Sequence, residues 1–213
     1  MIGEGPAGDA LLGALEAIAP PGVRVGVLAI DERHLDDLFE GERQHVAGAV
    51  AKRRREFATG RALLRGLLGE RVEIPVLPSR APGMPTQVVA SLAHDRAFAV
   101  ATLGAATEVT ALGIDVEPAG AMAPGVAALV LRPDEDLDPR VAFVLKEAAY
   151  KAWSGLGGPL LSFHDVRLRV SGSTFTASVH PFDVVLEGRW ADAGGRHLAL
   201  VAAGLATRPT PSA

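Results

Sequence analysis

Cysteine is absent from the chain, which excludes disulfides, thiolate nucleophiles and cysteine-ligated zinc or iron–sulfur centres. No G-x-S-x-G context for a Ser, His and Asp arrangement occurs, and no G-x-x-x-x-G-K-[ST] loop, so covalent catalysis by the protein and a P-loop are both unsupported. An excess of basic charge is missing too: the formal net charge is −4, which argues against general nucleic-acid binding. Residues 1–19 lack a basic segment, carry Glu4, Asp9 and Glu16 and interrupt their apolar run with glycines. They read as neither signal peptide nor membrane span, and the chain reads as cytoplasmic with no membrane partner.

What is present suffices for a sizeable core. Of 213 residues, 48% are hydrophobic and 22% charged, enough for one large domain or two small ones. Two short stretches hold the most chemistry. Residues 109–116 read as a strand with Leu112, Ile114 and Val116 on one face and Asp115 and Glu117 on the other. Pro118 cannot donate to a ladder, which predicts a strand end there and places both acids at a sheet rim. Downstream, residues 143–153 (F-V-L-K-E-A-A-Y-K-A-W) read as a helix with Val141, Val144, Leu145, Ala148 and Ala152 as its apolar stripe. Gly155, Gly157 and Gly158 stop it, and Glu147 and Lys151, four apart, share a face.

Two carboxylates from a strand and one from a helix form an all-oxygen donor set, Asp115, Glu117 and Glu147. It suits a hard divalent cation that retains positions for water and phosphate, Mg²⁺ rather than zinc, with Mn²⁺ as an alternative. Taken singly, Glu147 with Lys151 equals an ordinary surface ion pair, and an Asp and Glu after a strand equal a solvated rim. The order and separation of the two strings make the combination specific.

Residues 40–68 read as one helix, with Val46, Ala49, Val50, Phe57, Leu63, Leu64 and Leu67 for a core and Lys52, Arg53, Arg54, Arg55, Arg61 and Arg65 for anions or for solvent. A Pro- and Gly-rich loop over 77–87 follows, with Arg80 as its one cation. Strand-like runs lie at 23–30, 88–92 and 97–103 before the acidic strand, and at 165–170, 174–179, 184–187 and 197–203 after the second helix. Each half combines helix with strands, an α/β (α+β) pattern.

On these residues the chain resembles the 4′-phosphopantetheinyl transferases, in particular the longer, monomeric type found with siderophore and surfactant synthetases. The family pairs a G-I-D-x-E segment with a downstream K-E-A-x-x-K segment; here these are Gly113, Ile114, Asp115, Glu117 and Lys146, Glu147, Ala148, Lys151. F-A-T-G-R at 57–61 and S-L-A-H at 91–94 agree, although Ala93 stands where the family has Ser or Thr. The resemblance covers most of the chain. It implies two similar α/β halves packed as a pseudo-dimer: residues 1–106 binding coenzyme A phosphate, residues 107–206 binding metal and catalysing, and 207–213 as a disordered tail.

It further implies Mg²⁺-dependent transfer of 4′-phosphopantetheine from coenzyme A to a serine of an apo acyl or peptidyl carrier protein. Arg53, Arg61, Arg80, Ser91, His94, Lys146 and Lys151 would contact coenzyme A, Asp115, Glu117 and Glu147 would hold the metal, and Glu147 and Lys151 would act in catalysis. The carrier would dock on apolar surface around Tyr150, Trp153 and 155–161, with Trp153 alternatively part of the core. A coenzyme A-binding regulatory or assembly protein without activity, or another Mg²⁺-dependent phosphoryl-transfer enzyme, are the alternative expectations.

Overall fold

The computed structural model describes residues 5–204, so the predicted tail at 207–213 lies outside the described residues. The first half places β1 (Arg24–Ala29), β2 (Val88–His94) and β3 (Phe98–Ala105) in an antiparallel sheet of order β1-β3-β2. The second builds a five-stranded antiparallel sheet, β4-β8-β7-β6-β5, from β4 (Ala111–Pro118), β5 (Val166–Ser171), β6 (Thr174–Val179), β7 (Val184–Ala193) and β8 (Arg196–Ala203). The expected α+β class with a helix in each half is observed, and the halves are unequal in strand number.

Three layers follow from side-chain alternation. Helix α1 (Gly5–Ile18) buries Leu11, Leu15 and Ile18 against Val25, Val27 and Val100 of one sheet and Ile114, Val116, Leu198 and Leu200 of the other. A single helix thus glues both sheets from one side, each large apolar side chain contributing about 1.5–3 kcal/mol. On the opposite side α3 (Ala51–Leu68) packs Leu63, Leu64 and Leu67 on Leu28, Ala99, Ala101 and Leu103. Helix α5 (Pro139–Gly155) packs Val144, Leu145, Ala148 and Ala152 on the larger sheet. Edge strands β2 and β4 meet between α3 and α5, joined where Ile114 N donates to Ser91 Oγ at 3.1 Å.

Some expectations need correction. The helix predicted over 40–68 is two, α2 (Glu40–Val46) and α3, because the chain opens at 47–50, where Val50 is extended (ψ 154°) ahead of α3. Helix α3 ends at Gly69, whose φ of 77° is the left-handed geometry glycine tolerates. Helices α1 and α4 (Pro124–Val130) have no counterpart in the sequence reading. Asp115 is not on an open rim: it is only 6% exposed, because α5 lies directly over β4. That approach requires Gly113, where a Cβ would collide with the Ala148 carbonyl and the Ala152 nitrogen of α5.

Candidate active site

Helix α5 is launched by Asp138, whose Oδ1 accepts from Arg140 N (2.8 Å) and Val141 N (3.1 Å), with Pro139 preset for the first turn. Close packing on Gly113 then brings Glu147 and Lys151 to the face of β4 that carries Asp115 and Glu117. Lys151 Nζ donates to Asp115 Oδ1 at 2.6 Å and to the Ile114 carbonyl at 2.9 Å, leaving its third proton available. The second oxygen of Asp115 is buried with no partner. Glu117 Oε2 lies 3.6 Å from Arg140 Nη1. Glu147, partly buried, has neither hydrogen-bond nor ion-pair partner among the described residues.

The electrostatics mark this cluster as short of positive charge. Burial raises all three carboxyl pKa values above the ordinary range. Asp115 adds to the rise of both Glu117 and Glu147, while Lys151 opposes the rise at Asp115. Among the described residues no three His, Asp or Glu side chains are grouped closely enough to hold a metal ion as they stand, Asp115, Glu117 and Glu147 included. The all-oxygen donors and the unsatisfied Asp115 oxygen nevertheless fit a hard cation such as Mg²⁺.

Across the β2–β4 junction stands a second cluster. Arg53 Nη1 donates to His94 Nε2 at 2.9 Å. Because guanidinium only donates, this contact requires a neutral His94 with its proton on Nδ1. Burial lowers the His94 pKa, with Glu56 opposing that effect and Arg53 reinforcing it. Glu56, absent from the sequence candidates, lies 3.8 Å from both Arg53 Nη1 and His94 Nε2 and 3.6 Å from Lys52 Nζ. A carboxylate immediately after K-R-R-R, one helical turn on from Lys52 and Arg53, is the signal that could have found it. His94 also bears electrostatically on Lys151 and Asp115, so the two clusters are neighbours across the β2–β4 junction.

The structure therefore brings together Asp115, Glu117, Glu147 and Lys151 on one wall and Arg53 and His94 on the other. It does not bring Lys146 there. Its ammonium is 1% exposed and donates to Glu135 Oε2 (2.7 Å), Val130 O (2.8 Å) and Phe163 O (3.1 Å), so all three protons hold the core. Arg61 is also deep, 3% exposed, with Nε on Ile74 O at 2.7 Å and its guanidinium over Phe57; burial lowers its pKa to about 10. Ser91 serves as the inter-sheet joint. Arg80 projects from an exposed turn with a φ of 69° and has no side-chain partner among the described residues. Trp153 belongs to the core, with Nε1 donating to Pro159 O at 2.8 Å. Arg140 also escaped the sequence reading, although it lies seven residues before Glu147 on nearly the same helical stripe.

Comparison with known proteins points to one family. Residues 41–104 match the model of the 4′-phosphopantetheinyl transferase N-terminal domain. The chain is 40% identical to 4′-phosphopantetheinyl transferase Svp of Streptomyces mobaraensis, over 74% of this chain and 75% of that protein. It is 31% identical to 4′-phosphopantetheinyl transferase PptT of Mycobacterium tuberculosis, over 68% and 77% of the two chains. To 4′-phosphopantetheinyl transferase Npt of Nocardia iowensis it is 33% identical, over 72% and 75%.

Proposed function

This chain belongs to the 4′-phosphopantetheinyl transferase family, and on that premise we propose how its cleft moves 4′-phosphopantetheine from coenzyme A to a serine of an apo acyl or peptidyl carrier protein. The reading is carried by Asp115, a buried carboxylate with one oxygen on Lys151 and the other unsatisfied, beside an unpartnered Glu147. A cluster of that kind, opposite Arg53 and His94, is complementary to a diphosphate and its counter-ion.

Residues 1–106 would bind the nucleotide end. Arg53 offers a planar two-pronged donor to the 3′-phosphate, and His94, released from its Arg53 contact, gains a proton as the anion arrives. Arg61 and Ser91 support this wall from within rather than touching the ligand. Residues 107–206 would perform the transfer. Mg²⁺, when bound by Asp115, Glu117 and Glu147, neutralises charge on the diphosphate. Glu147, directly or through water, takes the proton from the serine hydroxyl. The serine oxygen bonds to the phosphorus nearer pantetheine as the bond to the bridging oxygen breaks. Lys151 directs its free proton to that leaving oxygen, and adenosine 3′,5′-bisphosphate departs. Leu156, Leu160 and Phe182 leave apolar surface exposed around the end of α5, where the carrier would dock on a monomeric enzyme.

The test is intact mass spectrometry of an apo carrier protein incubated with the protein, coenzyme A and Mg²⁺. A phosphopantetheine-sized gain on the carrier serine, lost with EDTA, is the expected result. Coenzyme A binding with no gain across several carriers would replace the proposal with the binding-protein alternative.

A further inference from the structure

Arg140 and Lys151 both neutralise acids of the cluster, in unlike ways. Lys151 is built in, with two bonds of 2.6 and 2.9 Å. Arg140 approaches Glu117 Oε2 only to 3.6 Å, longer than a hydrogen bond. Its Nη2 reaches the Ala121 carbonyl at 3.4 Å, and its Nε is buried with no partner. A guanidinium committed to a carboxylate places two parallel N–H groups on it. Here it supplies charge through one loose contact, an arrangement with little bonding to lose.

From this geometry we infer that Arg140 is a positioning residue acting through Glu117: it stands in for the divalent cation while that cation is away and competes with it for the Glu117 carboxylate. The inference rests on the metal reading proposed above. Two consequences follow from charge alone. Without the cation, Arg140 limits the repulsion among Glu117, Asp115 and Glu147, all partly or fully buried. With the cation in place, a positive group a few ångströms away repels it and weakens its retention. The first turn of α5, set by the Asp138 cap and Pro139, holds the base of the side chain. The guanidinium is the part free to withdraw.

The experiment is calorimetric titration of the full chain with Mg²⁺ alone, for the wild type and for Asp115→Asn, Arg140→Gln, Arg140→Met and Arg140→Lys. Removing the charge with Gln or Met should tighten Mg²⁺ about three- to fivefold. Arg140→Lys should keep the wild-type affinity, and Asp115→Asn should abolish binding. The use of two neutral variants keeps the comparison intact should one of them not fold. Unchanged or weaker Mg²⁺ binding by the neutral variants, with binding lost in Asp115→Asn, overturns the competition and leaves the metal site standing. Tightening by Arg140→Lys to the same degree also overturns it, because shape rather than charge would then be the cause. Undiminished binding by Asp115→Asn overturns the metal reading, and the role of Arg140 falls with it.

Discussion

Helices α3 and α5 occupy equivalent places over the two sheets, and each carries charges of two kinds. In α3 the deep charges are Arg61, on Ile74 O, and Arg65, on the buried carboxylate of Glu42; those at the cleft are Arg53 and Glu56. In α5 the deep charge is Lys146, on Glu135, and those at the cleft are Glu147 and Lys151. Deeply held charges and charges beside the acidic cluster thus alternate within the same motif strings. What separates Lys146 from Lys151 is that all of the Lys146 donors are already committed, which is a property of tertiary packing. The α3 side carries Arg53 beside His94 of β2, whereas the α5 side carries Glu147 beside Asp115 and Glu117 of β4, so the two neighbouring clusters differ in sign.

The sharpest test of the contrast is at the α5 wall. Glu147→Gln should lower kcat by about 10²–10⁴ while leaving the thermal midpoint nearly unchanged; full turnover at saturating Mg²⁺ would remove Glu147 from the mechanism. Lys146→Met should do the reverse, costing about 3–5 kcal/mol of stability by stranding buried Glu135. Chemical denaturation measures that loss, and the surviving folded fraction should keep its KM for coenzyme A. If instead KM rises with stability intact, Lys146 is a ligand contact and the division between holding and acting fails at that position.

At the α3 wall the pair to compare is Arg53 and Arg61. Arg53→Ala should raise KM for coenzyme A about 10- to 100-fold and leave dephospho-coenzyme A nearly unaffected. Arg61→Ala should penalise both nucleotides equally and lower the thermal midpoint. Selective loss of coenzyme A alone in Arg61→Ala would restore that arginine to direct phosphate contact.

The smallest effect concerns acid. Burial holds the His94 pKa below its usual 6.5, so the unfolded chain binds a proton more readily than the folded one. Stability should therefore decline as pH falls from about 6.5 through the lower folded value. Thermal midpoints measured across that window should fall less steeply in His94→Gln; an unchanged slope would mean that His94 titrates as if exposed.

Much of this arrangement is legible in local pattern. The alternation of Leu112, Ile114 and Val116 against Asp115 and Glu117 set the two faces of β4, and the apolar stripe of α5 placed Glu147 and Lys151 together. Helix α1 was hidden by Gly8 and Gly13, which weaken helix propensity, and its stability comes from Leu11, Leu15 and Ile18 meeting both sheets. The break at 47–50 carries Gly48 as its only local sign. Glu42, Glu135 and Arg140 escaped for another reason. Their partners lie at Arg65, Lys146 and Glu117, and no periodicity encodes contacts between elements. For the same reason the hold of Lys146 on Glu135 could not be read from the string: a motif records that a cation is needed without recording what it holds.

The register of β8 has a consequence for biosynthesis. This strand lies between β4 and β7 and pairs Ala199 with Asp115 and His197 with Glu117. The acids of β4 therefore leave the ribosome long before the strand that fixes them. Synthesis at about 5–20 residues per second puts that delay at roughly 4–17 s. During the wait the nascent chain carries an unpaired β4 edge, with Asp115 and Glu117 not yet held in register. A chain cut before β8 should therefore lack the register that places Asp115 and Glu117, and truncation at residue 195 should abolish turnover in the carrier assay.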